Sequence, residues 1–135
     1  LPNISDLIGI PFLNLGRDPK IGLDCYGLFM EVNKRFGQIV TNKNIACEDI
    51  VTASIEVPED IANYWSKVEI PEPGDAVAMS LNPIFPGVVQ HFGVYLGDSR
   101  YIHTLKKVGV IISKINDPAW EKRIRGFYRW KKCSL

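Results

Sequence analysis

Apolar residues recur along this chain with two different periods, and the change falls at one place, Pro71-Glu72-Pro73-Gly74-Asp75. Ahead of it the spacing is helical. From Asp24 to Phe36, residues Cys25, Leu28, Phe29, Val32 and Phe36 share one face, with Glu31, Asn33, Lys34 and Arg35 largely outside it. Asp24 is placed to cap this helix, which makes Cys25 its first residue, and Gly37 suits the position after its end. Asn44 to about Ser54 and Glu59 to about Val68 predict two shorter helices. Pro58 fits the first turn of the second, and Ile61, Tyr64, Trp65 and Val68 form its apolar stripe. Residues 1–23 are broken by Pro2, Gly9, Pro11, Gly16, Pro19 and Gly22 and predict irregular chain with one short turn at Ser5–Ile8.

Beyond Asp75 the period drops to two. Ala76–Leu81, Val88–Leu96, Tyr101–Leu105, Gly109–Ile115 and Ile124–Trp130 read as strands. Gly97-Asp98-Ser99 and Lys106-Lys107-Val108 are short enough to demand antiparallel hairpins. Asp117-Pro118-Ala119-Trp120 opens one helical turn before the last strand. Helices followed by strands predict an α+β fold, with N-terminal helices packed on a five-stranded antiparallel sheet. The 135 residues amount to a single domain, 1–135.

Composition narrows the partners. The 46% apolar and 23% charged residues are those of an ordinary globular domain, and a formal net charge of +1 argues against nucleic acid. Lys122, Arg123, Arg125, Arg129, Lys131 and Lys132 crowd the last strand. They predict a solvated basic edge that resists edge-to-edge pairing, or a contact to an anionic polymer or assembly partner. No run is long and apolar enough for a membrane span, and no signal peptide is visible. Three cysteines, Cys25, Cys47 and Cys133, form neither a disulfide framework nor a zinc-site spacing, so neither metal nor cofactor is expected. Cys47 is expected to pack as a small apolar side chain.

The chemistry starts from Cys25. The start of a helix carries partial positive charge and unsatisfied N–H groups, which favour a thiolate and can hold an oxyanion. A thiol nucleophile needs a base, and the base needs a group that fixes its tautomer. The two histidines of the chain, His91 and His103, lie in consecutive strands of one hairpin. With a strict two-residue turn, Val94 would oppose His103 and the histidines would face opposite ways. With a third residue in the loop, or a bulge, Gly93 opposes His103 and both rings share a face. The catalytic order Cys25, His91, His103 therefore requires an odd-length connection or a bulge, for which Gly97 can supply the positive φ.

Taken together, Gly22-Leu23-Asp24-Cys25-Tyr26-Gly27-Leu28, Pro73-Gly74-Asp75, His91-Phe92-Gly93-Val94-Tyr95-Leu96-Gly97 and Tyr101-Ile102-His103 resemble the NlpC/P60 family of papain-like cysteine peptidases. The likeness runs from about Pro11 to Trp130. It implies a papain-like α+β fold with the catalytic cysteine at a helix N-terminus, and cleavage of amide bonds in peptidoglycan stem peptides, usually between D-γ-glutamyl and a diamino acid. It makes Cys25 the nucleophile, His91 the base and His103 the orienting residue. Asp24 matches the residue that receives the substrate's free amine in cell-wall members, in addition to capping the helix. Tyr26 stands where most cell-wall members carry a substrate-binding serine, and an aromatic there resembles the phage-tail branch. Phe12 stands where many members carry a tyrosine whose hydroxyl reaches the oxyanion. The resemblance thus implies a peptidoglycan peptide substrate, phage tail proteins as partners, and action at a virion tail or in the bacterial cell wall. The alternatives are a tail-assembly module that keeps the fold without hydrolysis, and an amidase on a non-murein substrate.

Overall fold

A computed structural model of the chain describes residues 1–40, 45–46 and 49–131. After a 3-10 turn at Ser5–Leu7, a two-residue hairpin, β1 (Arg17–Asp18) and β2 (Gly22–Leu23), interrupts the expected irregular segment. Helix α1 spans Cys25–Arg35. Asp24 caps it by accepting from the Gly27 N–H at 2.8 Å, and Gly37 follows it with φ +83°. Its buried side carries Cys25, Leu28, Phe29 and Val32 as expected. Asn33, expected outside this face, is buried too, its amide donating to the Phe29 carbonyl at 2.7 Å.

The next segment departs from the expectation of two helices. One helix, α2, spans Ile50–Tyr64 with Pro58 inside it, and Trp65–Val68 is a strand, β3. The apolar stripe at Ile61, Tyr64, Trp65 and Val68 satisfies both readings, and tertiary pairing decides. Trp65 pairs with Trp130, their rings 5.0 Å apart, while Tyr64 stacks on Trp130 at 5.8 Å. Asn44 and Cys47, assigned from the sequence to the first helix, lie outside the described residues, as does Cys133.

The remaining strands are β4 (Ala76–Met79), β5 (His91–Gly97), β6 (Arg100–Leu105), β7 (Gly109–Lys114) and β8 (Ile124–Trp130). The four-residue helix α3 (Pro118–Glu121) precedes β8. They form a six-stranded, not a five-stranded, antiparallel sheet in the order β3-β8-β4-β5-β6-β7. The added strand is β3, and it changes the meaning of the basic run. Strand β8 is paired on both sides and is no edge. Arg129 on it holds the Asp75 carboxylate through two bonds of 3.0 and 2.8 Å, tying β8 to the turn where the period changes.

Strand alternation gives the sheet two unlike faces. Helix α1 covers one through Phe92, Val94, Leu96, Ile102, Ala76 and Ala78, the main core. On the other, Val77, Met79, Tyr95 and Tyr101 pack with Trp120, Ile124 and Phe127 in a smaller cluster. His91 and His103 belong to this second face.

Candidate active site

The loop between β5 and β6 determines whether the histidines meet. Asp98 and Ser99 form a two-residue turn, both with positive φ, and the register shifts between Tyr95 and Gly97. The shift is the bulge that the catalytic reading required. Val94 pairs with Ile102, so Gly93 sits across from His103. A methyl group on Gly93 would come within 2.8 Å of the Ile102 carbonyl and 3.2 Å of the His103 Cβ. The glycine thus leaves room for the two rings to approach.

They do approach. His91 Nε2 and His103 Nδ1 are 2.9 Å apart, and His103 Nε2 is 2.8 Å from the hydroxyl of Ser113 on β7. His103 is enclosed by Tyr101 and Trp120, with ring centroids 4.5 and 5.1 Å away. Both histidines are buried, and that burial pushes both pKa values well below 6.5, with repulsion from His103 adding to the effect on His91. Two neutral rings joined by one hydrogen bond must share a single proton across it. If His91 donates from Nε2, its Nδ1 lone pair is left to act as a base, and His103 then donates from Nε2 to Ser113. Ser113 was missed in the sequence, although the Lys106-Lys107-Val108 turn places Tyr101 opposite Ser113, on the His103 side of the sheet.

Cys25 begins α1 and is fully buried. Its sulfur lies 3.6 Å from the carbonyl oxygen of Gln90, the residue before His91, which brings the helix start to the start of β5. In this structure Cys25 is in a disulfide, so any nucleophile here is the thiol released by reduction.

Asp24 is buried and heavily engaged. It accepts from the N–H groups of Gly27 (2.8 Å) and Leu15 (3.0 Å) and pairs with the Arg17 guanidinium at 2.6 Å. Arg17 was not singled out in the sequence. It is the cation that neutralises this carboxylate, which sets capping and loop anchoring ahead of amine capture as the role visible here. Beside it, the first turn of α1 runs against the backbone of Gly16, and a methyl group on Gly27 would overlap the Gly16 carbonyl.

Phe12 and Tyr26 part company. Phe12 joins His91, Gln90, Thr104 and Trp120 around an open cleft of about 740 Å³. Tyr26 is buried on the opposite side of the sheet, 5.7 Å from Phe92, and lines a small, mainly apolar cavity of about 40 Å³. Burial, then the charge of Asp24, pushes its phenol far above the usual range. Among the described residues no group of three or more His, Cys, Asp or Glu side chains is arranged to hold a metal ion.

The model of the NlpC/P60 family matches residues 9–129. Among curated proteins, the chain is 28% identical to Gamma-DL-glutamyl hydrolase of Bacillus subtilis over 133 residues, covering 95% of this chain and 28% of that protein. It is 30% identical to Murein DD-endopeptidase MepS/Murein LD-carboxypeptidase of Escherichia coli over 122 residues, covering 83% of this chain and 64% of that one. The chain thus spans only part of the length of both. In fold it is similar to an NlpC/P60 family protein of Bacillus cereus, with a TM-score of 0.69 at 21% identity over 92% of this chain and 36% of the other. It is also similar to NlpC2 of Trichomonas vaginalis, with a TM-score of 0.68 at 17% identity over 97% and 50%.

Proposed function

The chain belongs to the NlpC/P60 family, and on that premise we propose that it is a cysteine hydrolase cleaving amide bonds in peptidoglycan stem peptides. The observation that carries this reading is the file of His91, His103 and Ser113, joined at 2.9 and 2.8 Å behind the wall of an open cleft. Such a chain has a catalytic direction. His103 holds the proton on His91 Nε2, and His91 Nδ1 takes the proton of the Cys25 thiol. The sulfur then attacks the scissile carbonyl, and the N–H groups at the start of α1 receive the developing oxyanion. Collapse expels the amine, protonated by His91, and water hydrolyses the thioester. Phe12 borders the cleft without a hydroxyl to offer the oxyanion, so that work falls to a backbone N–H or another side chain.

The finer parts of the reading are the bond cleaved, between D-γ-glutamyl and a diamino acid, and the setting, a phage or prophage tail that opens the cell wall. Tyr26 supports the setting through its resemblance to tail-associated members. The same residue supports the second reading, a tail-assembly module with little hydrolysis, because Tyr26 packs in the core rather than at the cleft.

One experiment separates them. Purified sacculi and defined muropeptides are incubated with the reduced protein, the untreated protein and Cys25→Ala, and the products are read by mass. The hydrolase reading expects new amide-cleavage products from the reduced wild type only. Equal product from Cys25→Ala, or none from the reduced wild type, rejects it.

A further inference from the structure

The two histidines form one link of a longer file, and such a file can run in either direction. His91 Nε2 meets His103 Nδ1 at 2.9 Å, and His103 Nε2 meets the Ser113 hydroxyl at 2.8 Å. A neutral imidazole has one nitrogen that donates and one that accepts, so each ring passes the direction on unchanged. When the hydrogens point toward β7, both rings carry their proton on Nε2. The Nδ1 lone pair of His91 is then open to a thiol proton. When they point the other way, Ser113 donates to His103, His103 donates from Nδ1, and His91 is left with its proton on Nδ1. In that state His91 is no base on its open side.

The far end of the file makes the choice. Ser113 lies half-buried on β7, the outer strand of the sheet, directly opposite Tyr101. A serine hydroxyl donates one hydrogen and accepts through two lone pairs, so Ser113 accepts from His103 once its own hydrogen is turned elsewhere. Tyr101 offers that place. It is fully buried, its ring centroid is 4.5 Å from that of His103, and its hydroxyl has no hydrogen-bond partner among the described residues. A buried oxygen in that state is costly, and a neighbouring donor relieves it. Burial, then the charge of Asp117, pushes the Tyr101 phenol far above its usual range, while the Ser113 hydroxyl acts in the opposite sense, as a donor to the phenol oxygen does. Trp120 closes the His103 ring from another side, edge-on at 5.1 Å.

We propose that Ser113, backed by Tyr101, is a positioning residue that sets the tautomer of His91 through His103. Ser113 accepts from the Nε2–H of His103 and turns its own hydrogen to the Tyr101 oxygen. That order keeps the His91 proton on Nε2 and its Nδ1 lone pair free. The inference rests on the hydrolase reading for the thiol that His91 serves, whereas the tautomer stands on the file itself. Ser113 does not line the cleft, so it acts through His103 alone.

The test exploits the scarcity of histidine, since His91 and His103 are the two in the chain. Ring-nitrogen NMR on reduced protein carrying isotope-labelled histidine reads which nitrogen of each ring holds the proton. It is run near neutral pH on wild type, Ser113→Val and Ser113→Thr. Valine and threonine have the same shape, so the two variants differ in the hydroxyl alone, and both fill the space that water would enter. Wild type and Ser113→Thr are expected to hold both rings protonated on Nε2. Ser113→Val removes the acceptor, which disfavours that direction by about tenfold, and His91 moves its proton to Nδ1. Muropeptide turnover follows the ring. In Ser113→Val kcat falls about tenfold with KM unchanged, and in Ser113→Thr it returns toward the wild-type value. Tyr101→Phe removes the oxygen that takes the serine hydrogen and shifts the tautomer in the same sense by a smaller factor; no shift overturns the part given to Tyr101. A wild type with the His91 proton on Nδ1, or a Ser113→Val variant in which tautomer and kcat do not change together, overturns the assignment. Should reduced wild type cleave no muropeptide, the hydrolase reading fails on its own, and the spectra still decide the tautomer.

Discussion

Consecutive residues of β5 open into two hollows with no lining residue in common, although helix α2 borders both. His91 borders an open cleft of about 740 Å³ whose walls mix apolar side chains such as Phe12, Leu81 and Trp120 with polar and cationic ones such as Gln90, Thr104 and Arg123. Phe92 borders a small, mainly apolar cavity of about 40 Å³, where it meets Phe29 at 5.4 Å and Tyr26 at 5.7 Å. The alternation of a strand is enough to send one residue to chemistry and the next to packing. The comparison teaches where a motif residue's role is decided. Tyr26 follows the cysteine directly, yet the first turn of α1 delivers it to the packed side, while Phe12, thirteen residues ahead of the cysteine, reaches the cleft.

The sharpest break of this comparison is to truncate each neighbour in turn. Phe92→Ala removes an aromatic from the main core and should cost about 3–5 kcal/mol of stability. His91→Ala, which leaves His103 without its partner, should cost less, about 1–3 kcal/mol, and lower kcat by about 10²–10⁴-fold. Thermal denaturation and muropeptide turnover, measured on both variants, give the answer. If His91→Ala retains turnover, or Phe92→Ala loses turnover with unchanged stability, the division between the two hollows is wrong.

A smaller effect separates the histidine face from the carboxylates elsewhere. Both His91 and His103 have folded pKa values pushed down from 6.5, to about 3 and about 4. Above pH 6.5 neither the folded nor the unfolded chain protonates them, so they contribute no pH dependence. As pH falls below 6.5, the unfolded chain takes up protons that the buried rings refuse, and stability falls toward about pH 4. Carboxylates held by partners, such as Asp6 beside Arg35, act lower, because their ordinary pKa is 3.8 and Arg35 lowers it further. Melting temperatures between pH 7 and 4.5 should therefore drop less steeply for His103→Asn than for wild type. Parallel curves would show that the buried pair is not the source.

Much of this was legible in the sequence, and the boundary of legibility has physical causes. Asp24 as cap, Cys25 as first helical residue and Gly37 past the end follow from local rules, and all three hold. The shared face of the histidines was legible as a condition, since it turned on one extra residue in the β5–β6 connection, and Gly97 with its φ of +96° meets it. The sixth strand was not legible. Trp65 fits a helical stripe as well as it fits β3, and what decides is Trp130, distant in sequence, whose pairing a local window does not contain. The same gap hid the place of β8, because a basic strand reads as an edge until β3 is known to cover it. Ser113 was within reach of the register argument but had no chemistry to mark it before His103 was placed.

The finest test lies in the apolar hollow. The Tyr26 hydroxyl is buried and has no hydrogen-bond partner among the described residues, whereas its ring packs against Phe92. A buried hydroxyl in that state carries its desolvation cost with no bond to offset it, and removing the oxygen while keeping the ring deletes the cost alone. Tyr26→Phe should therefore be neutral or stabilising by up to about 1 kcal/mol, with kcat/KM on muropeptides unchanged within about twofold. Chemical denaturation and steady-state turnover of the single variant measure both. A loss of more than about 1 kcal/mol would mean that the phenol has a polar partner in solution. A fall in turnover with stability intact would put Tyr26 in contact with substrate after all, and the two hollows would then be one site divided by a movable wall.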